Sequence, residues 1–151
     1  MDCDGDGGTT AHWMTVDADV AFTNARFADA DPVGTRIPGA LDRVISAGVT
    51  IEPRRPLFGS LRVRHFGPRP LVEDASVDSK STTICNGEVG YRLSSRARLV
   101  MEAFNIFDAD VSDIDYFYAS RLPGEPAGGV EDIHTHPALP RSARVGIQLS
   151  F

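Results

Sequence analysis

The chain has 151 residues, enough for one domain with a sizeable core, and a formal net charge of −6. With 42% apolar and 24% charged residues, its composition suits a soluble globular protein and equally a polar-lined β-barrel, whose strands are only half apolar. The acidic balance and the lack of a basic stripe argue against nucleic acid as a partner. No run of about 18 apolar residues occurs, so a transmembrane helix is excluded.

The first residues are rich in aspartate and glycine and show no strand pattern. They lack the basic and apolar regions of a signal peptide, so we expect residues 1–11 to form an unstructured tail. Residues 2–7 resemble the start of a calcium loop, but Trp13 stands where an EF-hand loop requires glutamate. Cys3 and Cys85 are too few and too far apart to indicate a disulfide framework or a metal knuckle.

Six stretches alternate apolar and polar side chains with a period of two, which predicts β-strands. In chain order they are residues 12–27, 42–51, 57–67, 82–93, 97–107 and 142–151. Proline and glycine concentrate between these stretches, and helical periodicity is missing over any useful length. The sequence therefore predicts an all-β fold of about six antiparallel, up-and-down strands.

The connections alternate between long and short, and the two faces of the strands differ in polarity. The long ones are residues 28–41, 68–81 and 108–141, and the short ones are 53–56 and 94–96. One face carries charges that would line a lumen and pair there: Asp17, Asp19, Arg62, Arg64, Glu88, Arg92, Arg98, Glu102 and Arg144. The other face is aliphatic, with aromatics near strand ends: Trp13, Phe22, Tyr91 and Phe151. This pattern favours a membrane barrel with tight periplasmic turns and long external loops over a soluble sandwich.

Several short motifs follow one another along the chain: GYRL at 90–93, AFNIFD at 103–108, PRSAR at 140–144 and the last residue, Phe151. Together they closely resemble the end of TonB-dependent outer-membrane receptors. Residues 112–126 and 132–137 are similar to a loop of one receptor subgroup. Residues 61–68 are also similar to the family, with His65 where an aromatic is more usual. The resemblance covers residues 12–151 and leaves out the first eleven.

The resemblance implies that residues 12–151 are the C-terminal portion of a transmembrane β-barrel in the bacterial outer membrane. Intact receptors of this family take up scarce ligands such as ferric siderophores, cobalamin or oligosaccharides. Six strands are far fewer than the about 22 of a closed receptor barrel. With no plug, TonB box or signal peptide in the sequence, we expect a receptor fragment that does not transport alone.

The resemblance also implies partners. These are outer-membrane lipid and the barrel-assembly machinery, for which the aromatic Phe151 would be the signal. The TonB complex would be engaged only through the plug domain of an intact receptor. We expect no cofactor, and no enzyme, because the chain has no nucleophile elbow, P-loop, dinucleotide fingerprint or C-x-x-C pair.

The long connection 108–141 holds the candidate functional residues. Its external-loop ligand contacts would be Asp113, Asp115, Tyr116 and Tyr118, expected above the fifth strand in a β-ribbon that extends it. His134 and His136 form an H-x-H pair that on a strand can chelate zinc or iron. A third ligand with recognisable spacing is lacking, so loop structure is the favoured interpretation of the pair. The alternative to a receptor is a small soluble all-β module that binds a ligand or metal through the His134/His136 loop.

Overall fold

A computed structural model describes residues 13–29, 33–53 and 55–151, and all regular structure within them is antiparallel β. The strands are β1 Met14–Phe22, β2 Arg43–Ile51, β3 Leu57–Phe66, β4 Thr82–Arg92, β5 Ala97–Phe104, β6 Ser112–Ser120, β7 Val130–Pro137 and β8 Ser142–Leu149. No helix suited by length and hydropathy to crossing a membrane occurs in these ranges. The expected tail 1–11, the calcium-like residues 2–7, Cys3 and His12 lie outside the described residues. The predicted all-β, antiparallel fold is confirmed.

Six of the described strands form one up-and-down sheet in the order β1-β2-β3-β4-β5-β8. The sheet is open, with β1 and β8 at its two edges. The strands β6 and β7 pair only with each other and form a hairpin inserted between β5 and β8. The six predicted strands are therefore the six strands of the sheet. The hairpin is the expected ribbon, but it is a separate sheet and not an extension of β5.

Three of the strands are several residues shorter than predicted. The first ends at Phe22 and not at 27, because the chain leaves the sheet after the bond from Thr23 N to Asp42 O, 2.9 Å long. The fifth ends at Phe104 because the next residue, Asn105, has a φ of +48°. The last ends at Leu149, which leaves Phe151 beyond the ladder and fully exposed.

One face of the sheet is an exposed apolar surface. Its side chains lie 36% to 67% exposed and include Val16, Val20, Ile45, Leu61, Val63, Val89, Leu99, Met101, Val145 and Ile147. Buried apolar side chains within the described ranges are few: Phe58, Leu71, Cys85, Val100 and Val111. A soluble sandwich would cover such a face with a second layer. The sheet therefore lacks the interior that its apolar residues would form in a soluble domain.

The opposite face is polar and is cross-linked by ion pairs. Arg62 reaches Asp17 two strands away at 2.8 Å, passing over Gly48, which faces both in the register. A side chain at Gly48 would block that path, since a Cβ there would lie 2.8 Å from Arg62 Nη2. On the same face, near the other edge of the sheet, Arg144 Nε of β8 donates to Glu102 Oε2 of β5 at 2.6 Å. These contacts agree with the expected pairing of charges along this face.

The NIFD segment after β5 is a structured turn. Asn105 is buried, and its side-chain amide forms two 2.9 Å hydrogen bonds with the backbone of Ala109. Ile106 folds back over the apolar face, where its Cδ1 lies 3.2 Å from a Cβ built on Gly87. Asp108 Oδ1 accepts a 3.0 Å bond from Arg141 N, just before β8. The motif therefore ends β5 and fixes the start of β8 beside it.

Candidate ligand site in the long connections

All long connections leave the same end of the sheet, and they pack on one another. Arg36 N donates to Glu73 O at 3.0 Å, and Gly39 N donates to Pro70 O at 2.7 Å. Gly34 permits this approach, because a Cβ there would lie 2.2 Å from the Glu73 carbonyl oxygen. Leu71 is buried between these segments. The connections therefore form a packed cap above the sheet, whereas the two short turns lie at the other end.

The ribbon of β6 and β7 stands over this cap. Tyr116 faces His134 in the register, and Tyr118 faces Asp132. The Tyr118 and His134 rings stack at 3.9 Å between centroids with 18° between their planes. His134 Nε2 also lies 3.2 Å from Tyr118 O, and since a carbonyl oxygen can only accept, the ring Nε2–H donates this hydrogen bond. One ribbon face is therefore aromatic, with both tyrosines about half exposed.

The other ribbon face is docked on the cap through Asp115. Its carboxylate bonds Arg69 Nη2 at 3.1 Å, Thr135 Oγ1 at 3.1 Å and the hydroxyl of Ser112. The carboxylate is almost fully enclosed, with 7% of the side chain exposed. Burial opposes its ionisation, but the bonds from Ser112, Arg69 and Thr135 outweigh that cost and hold the pKa of Asp115 below its ordinary value.

Two clefts lie between the cap and the polar face of the sheet. The first, of about 230 Å³, is lined by Phe66, Arg69, Lys80, Thr82, Val111 and Asp113, among others. The second, of about 280 Å³, shares Lys80 and Thr82 with it and reaches Asp115 and Thr135 on the ribbon. Both place cationic side chains beside carboxylates at the top of the polar face.

Three of the four predicted ligand contacts, Asp115, Tyr116 and Tyr118, line one cleft of about 410 Å³, and the fourth, Asp113, lines the first cleft described above. Asp115 is engaged in holding the ribbon, and the Asp113 carbonyl accepts a 3.3 Å bond from Arg69. Tyr116 and Tyr118 lie on the opposite ribbon face with His134. Their role in ligand binding stays a prediction. Sequence reasoning passed over Arg69 and Lys80, because single cations in a polar loop carry no periodic signal.

His134 and His136 alternate along β7 and lie on the same face of the ribbon. Across the described ranges, no three His, Cys, Asp or Glu side chains come close enough together to hold a metal ion. The pair therefore has no protein-derived third ligand beside it in that part of the chain. The stack of His134 on Tyr118 gives one of the two imidazoles a packing role.

No family model matches the chain, and no curated protein matches it in sequence. Among solved structures, the chain is similar to the ferric-catecholate import receptor Fiu from K12 E. coli in its closed form. The TM-score is 0.70 at 14% identity, and the match covers 92% of this chain and 19% of that receptor. The likeness confirms the expected fold, because the chain folds like one segment of that receptor's β-barrel. The chain thus spans about a fifth of the length of the receptor that it matches.

Proposed function

We propose that the chain is the C-terminal barrel segment of a TonB-dependent receptor-like transporter in the bacterial outer membrane. The observation that carries this proposal is the exposed apolar face of the six-stranded sheet. Soluble monomers rarely expose apolar patches beyond a few hundred Å². The strands of that sheet are 8 to 11 residues long, close to the about 9–11 residues of a tilted membrane-spanning strand.

The placement of the connections supports the same function. Short turns at one end and a packed cap at the other correspond to the periplasmic and external sides of outer-membrane barrels. The polar face, with its Arg62–Asp17 and Arg144–Glu102 pairs, then faces the lumen. Phe151 then serves as the signal for the barrel-assembly machinery, and outer-membrane lipid covers the apolar face.

The open sheet supports the proposal that this is part of a larger barrel. In hydrocarbon, the unpaired backbone groups of the edges β1 and β8 would each cost several kcal/mol. Such edges need further strands, and receptors of this type close with about 22. Coupling to the TonB complex would come through a plug domain of the intact receptor. By itself the segment does not transport.

The ligand class follows from the same proposal. The intact receptor takes up a scarce ligand such as a ferric siderophore or cobalamin, and the cap of long connections forms part of the ligand entrance. The structurally similar receptor imports ferric catecholates. The clefts beside Arg69 and Lys80 are the positions in this segment where an anionic ligand would be met.

A matched pair of substitutions on β8 tests the membrane assignment. Ile147 lies on the apolar face and its neighbour Gln148 on the polar face, and both are exposed. In vesicles, Ile147→Arg should make the free energy of membrane insertion of the full chain less favourable by about 2–4 kcal/mol. Gln148→Arg should leave that free energy nearly unchanged. Protease protection and quenching of Trp13 fluorescence by brominated lipid measure insertion. Equal tolerance of both substitutions would sink the proposal.

The soluble binding module makes the opposite predictions. It requires the full chain to be monodisperse in plain buffer and to unfold cooperatively there. It also requires zinc binding that disappears when His134 and His136 are replaced by alanine, followed by calorimetric titration. The ground for retaining it is the shared, exposed ribbon face of the two histidines.

A further inference from the structure

The apolar face of the sheet carries a groove close to the turn between β2 and β3. Its floor is Gly59, which lies between its cross-strand partners Ile51 and Val89. Leu57 and Val89 close its sides, and Pro53 and Arg55 form its rim. The groove measures about 300 Å³ and is lined almost entirely by apolar atoms. Because Gly59 has no side chain, the floor of the groove is backbone, and the trough lies open between the neighbouring apolar side chains.

The polar rim of this groove is held in place from the opposite side of the sheet. Arg92 Nη1 donates to Pro53 O at 3.1 Å and to Arg55 O at 3.0 Å. Arg92 Nη2 also lies 3.4 Å from Glu52 Oε1, so the carboxylate next to Pro53 forms an ion pair with Arg92. These bonds hold the carbonyls of Pro53 and Arg55, and the exposed Arg55 lies beside the trough as its cation.

A trough of apolar side chains that ends beside an exposed arginine complements the two parts of a phospholipid. The acyl chain requires a dry, extended surface, and the phosphate requires a cation at the level of the headgroups. The short turns lie on the periplasmic side under the proposed function, and this places Arg55 at the phospholipid leaflet. The lipid headgroup is anionic at its phosphate, which complements the charge of Arg55.

We propose that this groove is a binding site for one phospholipid of the periplasmic leaflet, with an acyl chain over Gly59 and the phosphate at Arg55. The inference rests on the proposed function, since it requires the apolar face to contact lipid. Filling Gly59 itself is a poor test, because a Cβ there would lie 2.6 Å from Glu88 O and disturb the ladder. The wall and the rim offer cleaner substitutions.

The test uses the full chain in dodecylmaltoside micelles, titrated with palmitoyl-oleoyl phosphatidylglycerol and followed by native mass spectrometry. Val89→Trp fills the trough from its wall, and Leu99→Trp places the same ring elsewhere on the apolar face. Arg55→Gln removes the rim cation, and Arg96→Gln removes one from the other short turn. We expect Val89→Trp and Arg55→Gln each to weaken retention of one lipid roughly fivefold, and the two controls to match the wild type.

A second probe separates the headgroup from the acyl chain. Dioleoylglycerol has no phosphate, so it should bind more weakly than phosphatidylglycerol and show no response to Arg55→Gln. If all four variants retain lipid equally in folded, β-rich samples, the lipid site is wrong while the membrane assignment stands. If the wild type is instead monodisperse without detergent and retains no lipid, the proposed function fails first, and the lipid site fails with it.

Discussion

The ring of Phe58 lies directly over Gly90 of the neighbouring strand, on the polar face of the sheet. A Cβ built on Gly90 would lie 2.1 Å from the ring Cζ, so the two residues fit only because Gly90 has no side chain. The guanidinium carbons of Arg92 and Arg98 lie 4.8 and 5.9 Å from the ring centroid. The buried Phe58 ring thus covers the backbone at Gly90 and gives two cations of the polar face an aromatic surface to pack on.

This relationship predicts that Gly90→Ala destabilises the sheet by about 1–3 kcal/mol, because the new methyl group displaces the Phe58 ring. Urea unfolding of the full chain in detergent micelles, followed by circular dichroism, measures the change. Gly146 is the matched control, since it lies in the same row two strands further along and has nothing within 4 Å of its Cβ position. Gly146→Ala should be neutral or slightly stabilising. Equal losses from both substitutions would contradict the close fit at Phe58.

Asn105 gives a second prediction, which separates its hydrogen bonds from its backbone conformation. Asn105→Gly keeps the positive φ of +48° and loses both bonds to Ala109, which should cost about 2 kcal/mol. Asn105→Ala loses the same bonds but keeps a Cβ in the left-handed region, so it should cost about 1–2 kcal/mol more than the glycine variant. The measurement is the same urea unfolding. A glycine variant as unstable as the alanine variant would show that the turn does not depend on the left-handed conformation.

The sheet was predictable from the sequence because each strand repeats its own signal. Alternation of period two at Leu61-Arg62-Val63-Arg64 sets both the strand and its faces, and the register then places Arg62 beside Asp17. Local motifs were less complete. The NIFD motif predicted the end of the fifth strand. Its second role, fixing the start of β8, depends on the bond from Arg141 N to Asp108 Oδ1, which joins residues 33 positions apart.

The cap was beyond the reach of sequence reasoning for a related reason. Arg69 and Asp115 are 46 residues apart and lie in segments without periodicity. Their pairing depends on how two loops dock, which composition does not specify. The sequence predicted Asp115 as a ligand contact, which stays a prediction, and the structure shows its oxygens bonded to Ser112, Arg69 and Thr135. A polar residue in a long loop gives the same pattern whether it binds a ligand or another loop.

The stack of Tyr118 on His134 supplies a third prediction. Tyr118→Ala should loosen the ribbon by about 0.5–1 kcal/mol, because it removes an aromatic cross-strand contact. Amide hydrogen exchange across β6 and β7 measures this local stability. Tyr118→Phe keeps the ring and should exchange like the wild type. Tyr116→Ala is the comparison on the same face, and it should have the smaller effect because the His134 ring stacks on Tyr118. Equal acceleration from both alanine variants would show that the stack contributes nothing particular.

The docking of the ribbon should also depend on pH through Asp115. Its pKa is held below the ordinary value of 3.8, so the folded state favours the carboxylate more than the unfolded state does. The stabilisation is therefore fully present above the ordinary pKa and is lost as the pH falls through the depressed one. Amide exchange in β6 and β7 should stay constant from pH 7 to about pH 5, after correction for the intrinsic rate. It should then accelerate in stronger acid.

Asp115→Asn tests whether that dependence belongs to this carboxylate. The substitution removes the charge facing Arg69 and should weaken docking by about 2 kcal/mol at neutral pH. It should also flatten the acid response, since the group that titrates is gone. Asp113→Asn is the control, because Arg69 contacts the Asp113 carbonyl oxygen and the substitution leaves that atom in place. If the acid response persists in Asp115→Asn, the group that titrates is another one. The Arg69–Asp115 pair would then not cause the pH dependence of docking.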